Sequence, residues 1–176
     1  RRGAVIGFGA RVLGAGEPKY LNSPETPVFR KGHELYGLFE AHEAIRSRNR
    51  AIVCEGYLDV IQLAQAGFGE SVAALGTAVT AQHVTTLLRL TDHVVFAFDG
   101  DAAGRKAARR ALEAALPAIA DGKRASFVLL PQGEDPDSLI RNHGAGAFED
   151  ELRRALPLSR WLLQSLTEDK DLQQAE

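Results

Sequence analysis

Val94-Val95-Phe96-Ala97-Phe98-Asp99-Gly100-Asp101-Ala102-Ala103-Gly104-Arg105-Lys106 is the stretch from which the rest of the chain can be read. Five consecutive apolar residues read as a strand buried on both faces. Two carboxylates follow, separated by one glycine, and a small-residue turn then opens a basic, alanine-rich helix. In an extended Asp-Gly-Asp the side chains at i and i+2 share a face, so Asp99 and Asp101 can point the same way. They fall where the strand ends, which is where open α/β sheets put their sites. Two charges so close repel each other unless a cation sits between them, and oxygen donors suit a hard cation such as Mg²⁺. An ordinary Asp-Gly turn with a helix N-cap is the other reading of the same residues.

Working outward, Ala51-Ile52-Val53-Cys54 reads as a short strand ended by Glu55-Gly56, and Tyr57 to Ala66 as a helix closed by Gly67. Asp59 lies four residues after Glu55. With a helix starting near Gly56 the two acids share a side, although Asp59 also suits the helix dipole as a first-turn acid. Ser71 to Leu75 is a strand, and Thr80 caps a helix from Ala81 to Leu90. Gly104 to Leu116 is a helix with Arg105, Lys106, Arg109 and Arg110 on its surface. Lys123 to Leu130 is a strand with Glu134, Asp135 and Asp137 at its end, and Asp137 reads as the cap of a helix from Ser138 to Asn142. Ala147 to Ala155 and Leu158 to Leu166 read as amphipathic helices parted by Pro157, and the polar tail from Thr167 as frayed.

Four strands, each followed by a helix, describe a parallel α/β sheet with right-handed crossovers. Parallel strands bring their carboxyl ends to one edge, so Glu55, then Asp99 and Asp101, then Asp135 and Asp137 are expected to converge there. Such a cluster can hold two hard cations, which together stabilise the attacking and leaving oxygens of an in-line phosphoryl displacement. Nucleases, polymerases and topoisomerases all use that chemistry. There is no G-x-x-x-x-G-K-[ST] loop, and no Ser/His/Asp or Cys/His nucleophile signature. Tyr57, beside Glu55, reads either as a tyrosine nucleophile or as packing.

Toward the N-terminus, Ala4 to Leu13 reads as a strand that bends at its glycines. Gly14 to Gly16 is a turn. Pro18 to Pro27 holds three prolines in ten residues and reads as a rigid loop presenting Lys19, Tyr20 and Asn22, suited to phosphate and to base or ribose contact. Leu35 to Arg46 carries a helical apolar stripe, with His42 on the surface. Arg46, Arg48 and Arg50 read as a solvated basic cluster.

The 176 residues suffice for one domain with an appendage, and 45% apolar with 25% charged residues is a soluble globular composition. The single cysteine, Cys54, excludes an internal disulfide and a multi-cysteine zinc site, and fits a reducing cytoplasm. No membrane span or signal peptide is visible. With no methionine and an Arg1-Arg2 start, the chain reads as a piece of something longer. Residues 1 to 50 hold nine basic and five acidic residues, and the remainder 12 basic and 18 acidic. A basic front against an acidic back suits a front that meets phosphates and a back that holds metal.

Glu55-Gly56-Tyr57-Leu58-Asp59, Asp99-Gly100-Asp101-x-Ala103-Gly104-x-Lys106 and Asp135-Pro136-Asp137-Ser138 resemble the three acidic motifs of a Toprim domain. Gly7-Phe8-Gly9-x-Arg11-Val12-Leu13, Lys19-Tyr20-Leu21-Asn22-Ser23-Pro24-Glu25-Thr26, Phe29, Lys31-Gly32 and Leu35-Tyr36-Gly37 resemble the bacterial DNA primases in particular, with Ala10 where glycine is often found. The resemblance covers roughly residues 3 to 150. It implies a Toprim-like parallel sheet with flanking helices, preceded by an N-terminal segment of the primase polymerase core and followed by C-terminal helices. The expected divisions are 1–50, 51–142 and 143–176.

It implies an RNA polymerase core that makes short RNA primers on single-stranded DNA, using Mg²⁺ or Mn²⁺, two or more per site. Glu55, Asp99 and Asp101 would be the central metal-binding acids, with Asp59, Asp135 and Asp137 completing the site. Arg11, Lys19, Tyr20, Asn22 and Lys31 would lie on the surface that meets nucleotide phosphates and template. Implied partners are single-stranded DNA, ribonucleotides, the RNA–DNA hybrid and, through a C-terminal domain outside this stretch, the replicative helicase. A bacterial cytoplasmic monomer is expected. No zinc belongs to this stretch, and alone it is expected to bind metal and nucleotide but to prime weakly or not at all. A Toprim nuclease or topoisomerase, and a non-catalytic nucleotide-binding module, are the competing readings.

Overall fold

Alternation along each central strand feeds two cores at once. In the computed structural model, which describes residues 3–12 and 20–167, β4 (Ala51–Cys54) sends Ala51 and Val53 into one core and Ile52 and Cys54 into the other. β6 (His93–Phe98) does the same with Val94, Phe96 and Phe98 against Val95 and Ala97. A strand buried on both faces reads as an apolar run because neither face meets water. The first core is closed by α1 (Leu38–Arg48), α3 (Ala81–Leu88), α4 (Ala102–Ala115) and α6 (Leu158–Thr167), and the second by α2 (Tyr57–Gln65) and α5 (Pro136–Arg153). Phe96, Phe127 and Trp161 stack in a row through the first, with centroids 5.0 and 5.7 Å apart.

The sheet has six strands in the order β3-β5-β4-β6-β7-β8, where β3 is Leu35–Tyr36, β5 Ser71–Ala74, β7 Arg124–Leu129 and β8 Leu156–Pro157. The four inner strands are parallel, as their alternation with helices predicts. The two margins are antiparallel additions that the sequence reading lacks. Leu35 and Tyr36, expected to begin a helix, pair instead with Ala74 and Ala73, and left-handed Gly37 separates them from α1. Leu156 and Pro157, expected to be a break between helices, pair with Phe127 and Ser126. The expected helices at 138–142 and 147–155 are one element, α5, whose helical geometry breaks only at Gly144 (φ 82°, ψ 169°).

Ahead of the sheet, β1 (Gly9–Arg11) and β2 (Tyr20–Asn22) form a separate antiparallel pair. The expected strand over 4–13 is thus three residues long, and the expected rigid loop contributes a strand of its own. The expected turn at Gly14 to Gly16, Lys19 and the tail beyond Thr167 lie outside the described residues.

The expected solvated cluster at and beyond the end of α1 holds for exposed Arg46 but not for Arg48 and Arg50. Glu70, fully buried, takes bonds from Arg48 Nη1 (2.9 Å) and Arg50 Nη2 (2.7 Å), and Arg50 also reaches Glu149 at 3.4 Å. A buried carboxylate persists only when its lone pairs are satisfied, and the two arginines do that here.

Candidate functional site

β4 and β6 are neighbours, yet β4 leads to α2 on one face of the sheet and β6 to α4 on the other. Chain departures to opposite sides open a crevice outside the carboxyl ends of the strands, where α/β sheets bind ligands. Glu55 stands at the end of β4 and Asp99 at the end of β6. The turn after β6 is pressed onto its surroundings so closely that side chains are excluded. A Cβ on Gly100 would lie 2.0 Å from the Pro131 carbonyl oxygen, and one on Gly104 would lie 2.0 Å from that of Asp99. The Gly100 N–H also donates to the Glu134 carbonyl oxygen (3.1 Å), which fastens the loop carrying Asp135 to the turn carrying Asp99.

The two readings of Asp-Gly-Asp divide between its two aspartates. Asp101 is exposed and caps α4, its Oδ1 accepting from the Gly104 N–H at 2.7 Å. Asp99 caps nothing, and its Oδ1 is buried without a hydrogen-bond partner among the described residues. Its backbone N–H donates to Glu55 Oε1 at 3.3 Å. Asp59 Oδ2 accepts from the Gly56 N–H (2.9 Å). Asp135, not Asp137, caps α5, accepting from the Ser138 N–H (2.6 Å), because Pro136 takes the first helical position and fixes the cap one residue before it. Asp137 accepts instead from Gln62 Nε2 of α2 (2.8 Å) and faces Arg141 at 3.7 Å.

These carboxylates feel one another. Burial, then Glu55, Asp59, Asp135 and Asp101, push the Asp99 carboxyl up from 3.8 to about 7. Burial also raises Asp59 to about 7 against the Gly56 N–H that opposes it, with Asp135, Glu55 and Asp137 adding to the rise. Glu55 is raised by burial and by Asp101, while the Asp99 N–H restrains it. All six predicted acids therefore belong to one electrostatic cluster. Among the described residues no three His, Cys, Asp or Glu side chains are spaced to enclose an ion as they stand. The donor set nevertheless fits a hard cation: it is all carboxylate oxygen, it repels itself, and it includes a buried oxygen with no partner.

The β1–β2 pair carries Arg11, Tyr20 and Asn22 to this edge. The Arg11 guanidinium lies 5.4 Å from the centre of the Tyr20 ring. The Tyr20 hydroxyl is raised by burial and lowered by Arg11, and is raised further by Asp59, Asp99 and Asp135, so it stands beside the acids. Lys31 is held elsewhere: its carbonyl oxygen lies 2.9 Å from His83 Nε2 of α3 and its N–H donates to Glu25, while its ammonium makes no ion pair among the described residues. Lys19 lies outside the described residues.

Tyr57 resolves as a tie rather than a free nucleophile. Its ring meets Tyr20 edge-on at 5.5 Å and Tyr36 at 4.7 Å, and its hydroxyl donates to Asn22 Oδ1. A Cβ on Gly9 would lie 2.6 Å from that ring, so the glycine in β1 is what lets the hairpin lie down on the site. The glycine-aromatic pattern of the first strand was the available signal, but nothing in one sequence says which ring meets which glycine.

A family model described as Toprim-like matches residues 52–140, and one described as the N-terminal domain of the DNA primase catalytic core matches residues 1–42. The chain is 54% identical over 172 residues to the DNA primase of Escherichia coli K12, covering 98% of this chain and 30% of that protein. A crystal structure of a DNA primase domain from Pseudomonas aeruginosa superposes with a TM-score of 0.92 at 54% identity, over 97% of this chain and 53% of that one. A primase catalytic domain bound to single-stranded DNA superposes with the same TM-score of 0.92 at 53% identity, over 99% of this chain and 55% of that one. The chain thus spans less than a third of the curated relative and about half of the solved domains.

Proposed function

We propose, since this chain belongs to the Toprim-like family and is homologous to the catalytic core of bacterial DNA primases, that it forms the metal-binding part of an RNA polymerase that makes short RNA primers on single-stranded DNA. The observation that carries the reading is Asp99: a buried, unpartnered carboxylate oxygen at the sheet's switch point, its carboxyl raised to about 7 by burial first and then by Glu55, Asp59, Asp135 and Asp101. Glu55, Asp99 and Asp101 form the centre of the site, with Asp59, Asp135 and Asp137 around it. Mg²⁺ or Mn²⁺ bound there, two or more per site, supplies charge stabilisation to the attacking and leaving oxygens of nucleotidyl transfer.

The residues themselves do the positioning. Asp101 keeps one oxygen on the α4 cap, Asp135 does the same on α5, and the fixed turns hold both against movement. Arg11 and Tyr20 flank the acids with a cation and a ring suited to a phosphate and a base, and Asn22 is oriented by Tyr57. Lys31, held against α3 by His83, and Lys19, outside the described residues, are the other proposed phosphate contacts. The single-stranded DNA seen with a homologous catalytic domain supports template binding by this one. Ribonucleotides, the RNA–DNA hybrid and a replicative helicase reached through further sequence complete the proposed partners of a monomeric, cytoplasmic protein. No helix among the described residues is long and apolar enough to cross a membrane. We divide the chain at 1–50, 51–142 and 143–176, and the break of α5 at Gly144 supports the last boundary. A nuclease or topoisomerase is not favoured, because the similarity runs through the N-terminal segment into the primase core.

The test is Mn²⁺ calorimetry on this chain and on the double variant Asp99→Asn, Asp101→Asn. The variant is expected to lose at least one binding event. Equal binding by the two proteins would sink the catalytic assignment.

A further inference from the structure

Five described arginines are held by acids. Arg48 and Arg50 hold Glu70, Arg141 faces Asp137, and Arg153 and Arg154 face Asp150 and Glu151. Arg105, Lys106, Arg109 and Arg110 of α4 are not: all four are exposed and none makes an ion pair with a described residue. They fall at i, i+1, i+4 and i+5, within an arc of about 140° on one side of the helix. The opposite side, with Ala108, Ala111, Leu112 and Ala115, packs on the sheet.

This placement works against the helix that carries it. Arg105 with Arg109, and Lys106 with Arg110, are like charges at i,i+4, a spacing that destabilises. Arg105 and Lys106 also lie in the N-terminal half of α4, where the dipole disfavours cations, and no acid stands in the first turn. A cluster that opposes local stability and forms no ion pair with a described residue, Glu113 one turn beyond Arg109 included, suits an external anion. Its position says which. Gly104 presses the start of α4 onto Asp99, and Asp101 is the cap, so the four cations begin at the acidic edge and run about 6–14 Å along the axis away from it. An anion extended enough to reach from the site along this face is a polyanion.

We propose that this face of α4 holds the sugar–phosphate backbone of the nucleic acid strand or hybrid that enters or leaves the acidic site, as a second phosphate surface distinct from the β1–β2 hairpin. This rests on the polymerase reading above and adds to it a surface that the reading does not need.

The test is fluorescence anisotropy with two labelled probes, a single-stranded oligodeoxynucleotide and an RNA–DNA hybrid duplex, each titrated across a salt series. Three proteins are compared: wild type, Arg109→Gln with Arg110→Gln, and Arg153→Gln with Arg154→Gln as a control of equal charge change on the paired arginines of α5. The α4 variant is expected to bind at least about tenfold more weakly at low salt, with a log–log salt slope shallower by about 1.4 on single strands or 1.8 on duplex. The probe that shows the larger loss identifies which form passes α4. Relief of both like-charge pairs should leave its melting temperature at or above wild type, which separates lost contact from lost fold. Equal affinities and slopes for the two double variants would overturn the proposal. Mn²⁺ calorimetry on the α4 variant keeps the two readings apart. Retained metal binding with unchanged slopes removes the α4 surface alone, whereas absent metal binding in wild type removes the polymerase reading and leaves the slopes to judge α4.

Discussion

Asp99 and Asp59 keep their protons in the folded chain to about pH 7, whereas an aspartate in the unfolded chain gives its proton up near 3.8. Between those values the folded state holds more protons, so the stability these groups contribute is fully present below about pH 4 and is lost as pH rises through about 7. The metal-free protein should therefore melt at a lower temperature at pH 8 than at pH 5. Asp99→Asn, which cannot ionise, should flatten that dependence and raise the melting temperature at pH 8, by about 2–4 °C for each kcal/mol of repulsion removed. Melting curves in chelator across the range check this, and parallel wild-type and variant profiles would refute it. At this scale the sequence was informative about identity and less so about role. The acids could be named from their places after strands. Which of them cap helices depended on a detail: Pro136 makes Asp135 the cap and frees Asp137 to meet Gln62 of α2.

At the scale of elements, the β6–α4 turn holds the closest backbone approaches at any described glycine. Gly104→Ala would set a Cβ 2.0 Å from a backbone oxygen that cannot swing away, so the helix or Asp99 must move. The variant should lose about 1–3 kcal/mol of stability to overpacking, and should weaken Mn²⁺ binding with every carboxylate still present. Urea unfolding measures the first and calorimetry the second, and unchanged metal affinity would mean that the turn does not position Asp99. Just ahead of β5, Glu70→Ala would leave Arg48 and Arg50 without their shared acceptor, for an expected loss of about 3 kcal/mol, at the low end for a broken buried pair because both arginines keep some water. The four parallel strands were legible because runs of four or five buried residues, each followed by a helical period, mark strand and crossover helix together. β3 and β8 were not, since two residues carry no period and only their partners Ala74, Ala73, Phe127 and Ser126 make them strands. The Arg48–Glu70–Arg50 tie was illegible for a related reason: it joins residues about twenty apart that only the fold brings together.

At the scale of the whole molecule, a cation bound at the acidic edge should act as a clamp between β4, β6 and the α5 loop. Saturating Mn²⁺ at about 100 times its dissociation constant should raise stability by about 2.7 kcal/mol, read as a melting-temperature rise that Asp99→Asn with Asp101→Asn abolishes. The same chain, given ribonucleotides, Mg²⁺ and a single-stranded template, is expected to make little or no primer by itself. Robust synthesis would show that the remainder of the larger relatives is dispensable for chemistry.

The sheet's two margins have one more effect. Each is a strand of only two residues, and Pro157 in β8 has no N–H to offer. An open sheet usually risks recruiting strands from other molecules along its free edges, and long, regular edges are the ones that recruit. Here each free edge ends after two rungs, on one side at the Gly37 corner and on the other at the start of α6. The protein should consequently resist stacking into fibrils at concentrations where a bare four-stranded parallel sheet of the same sequence would not.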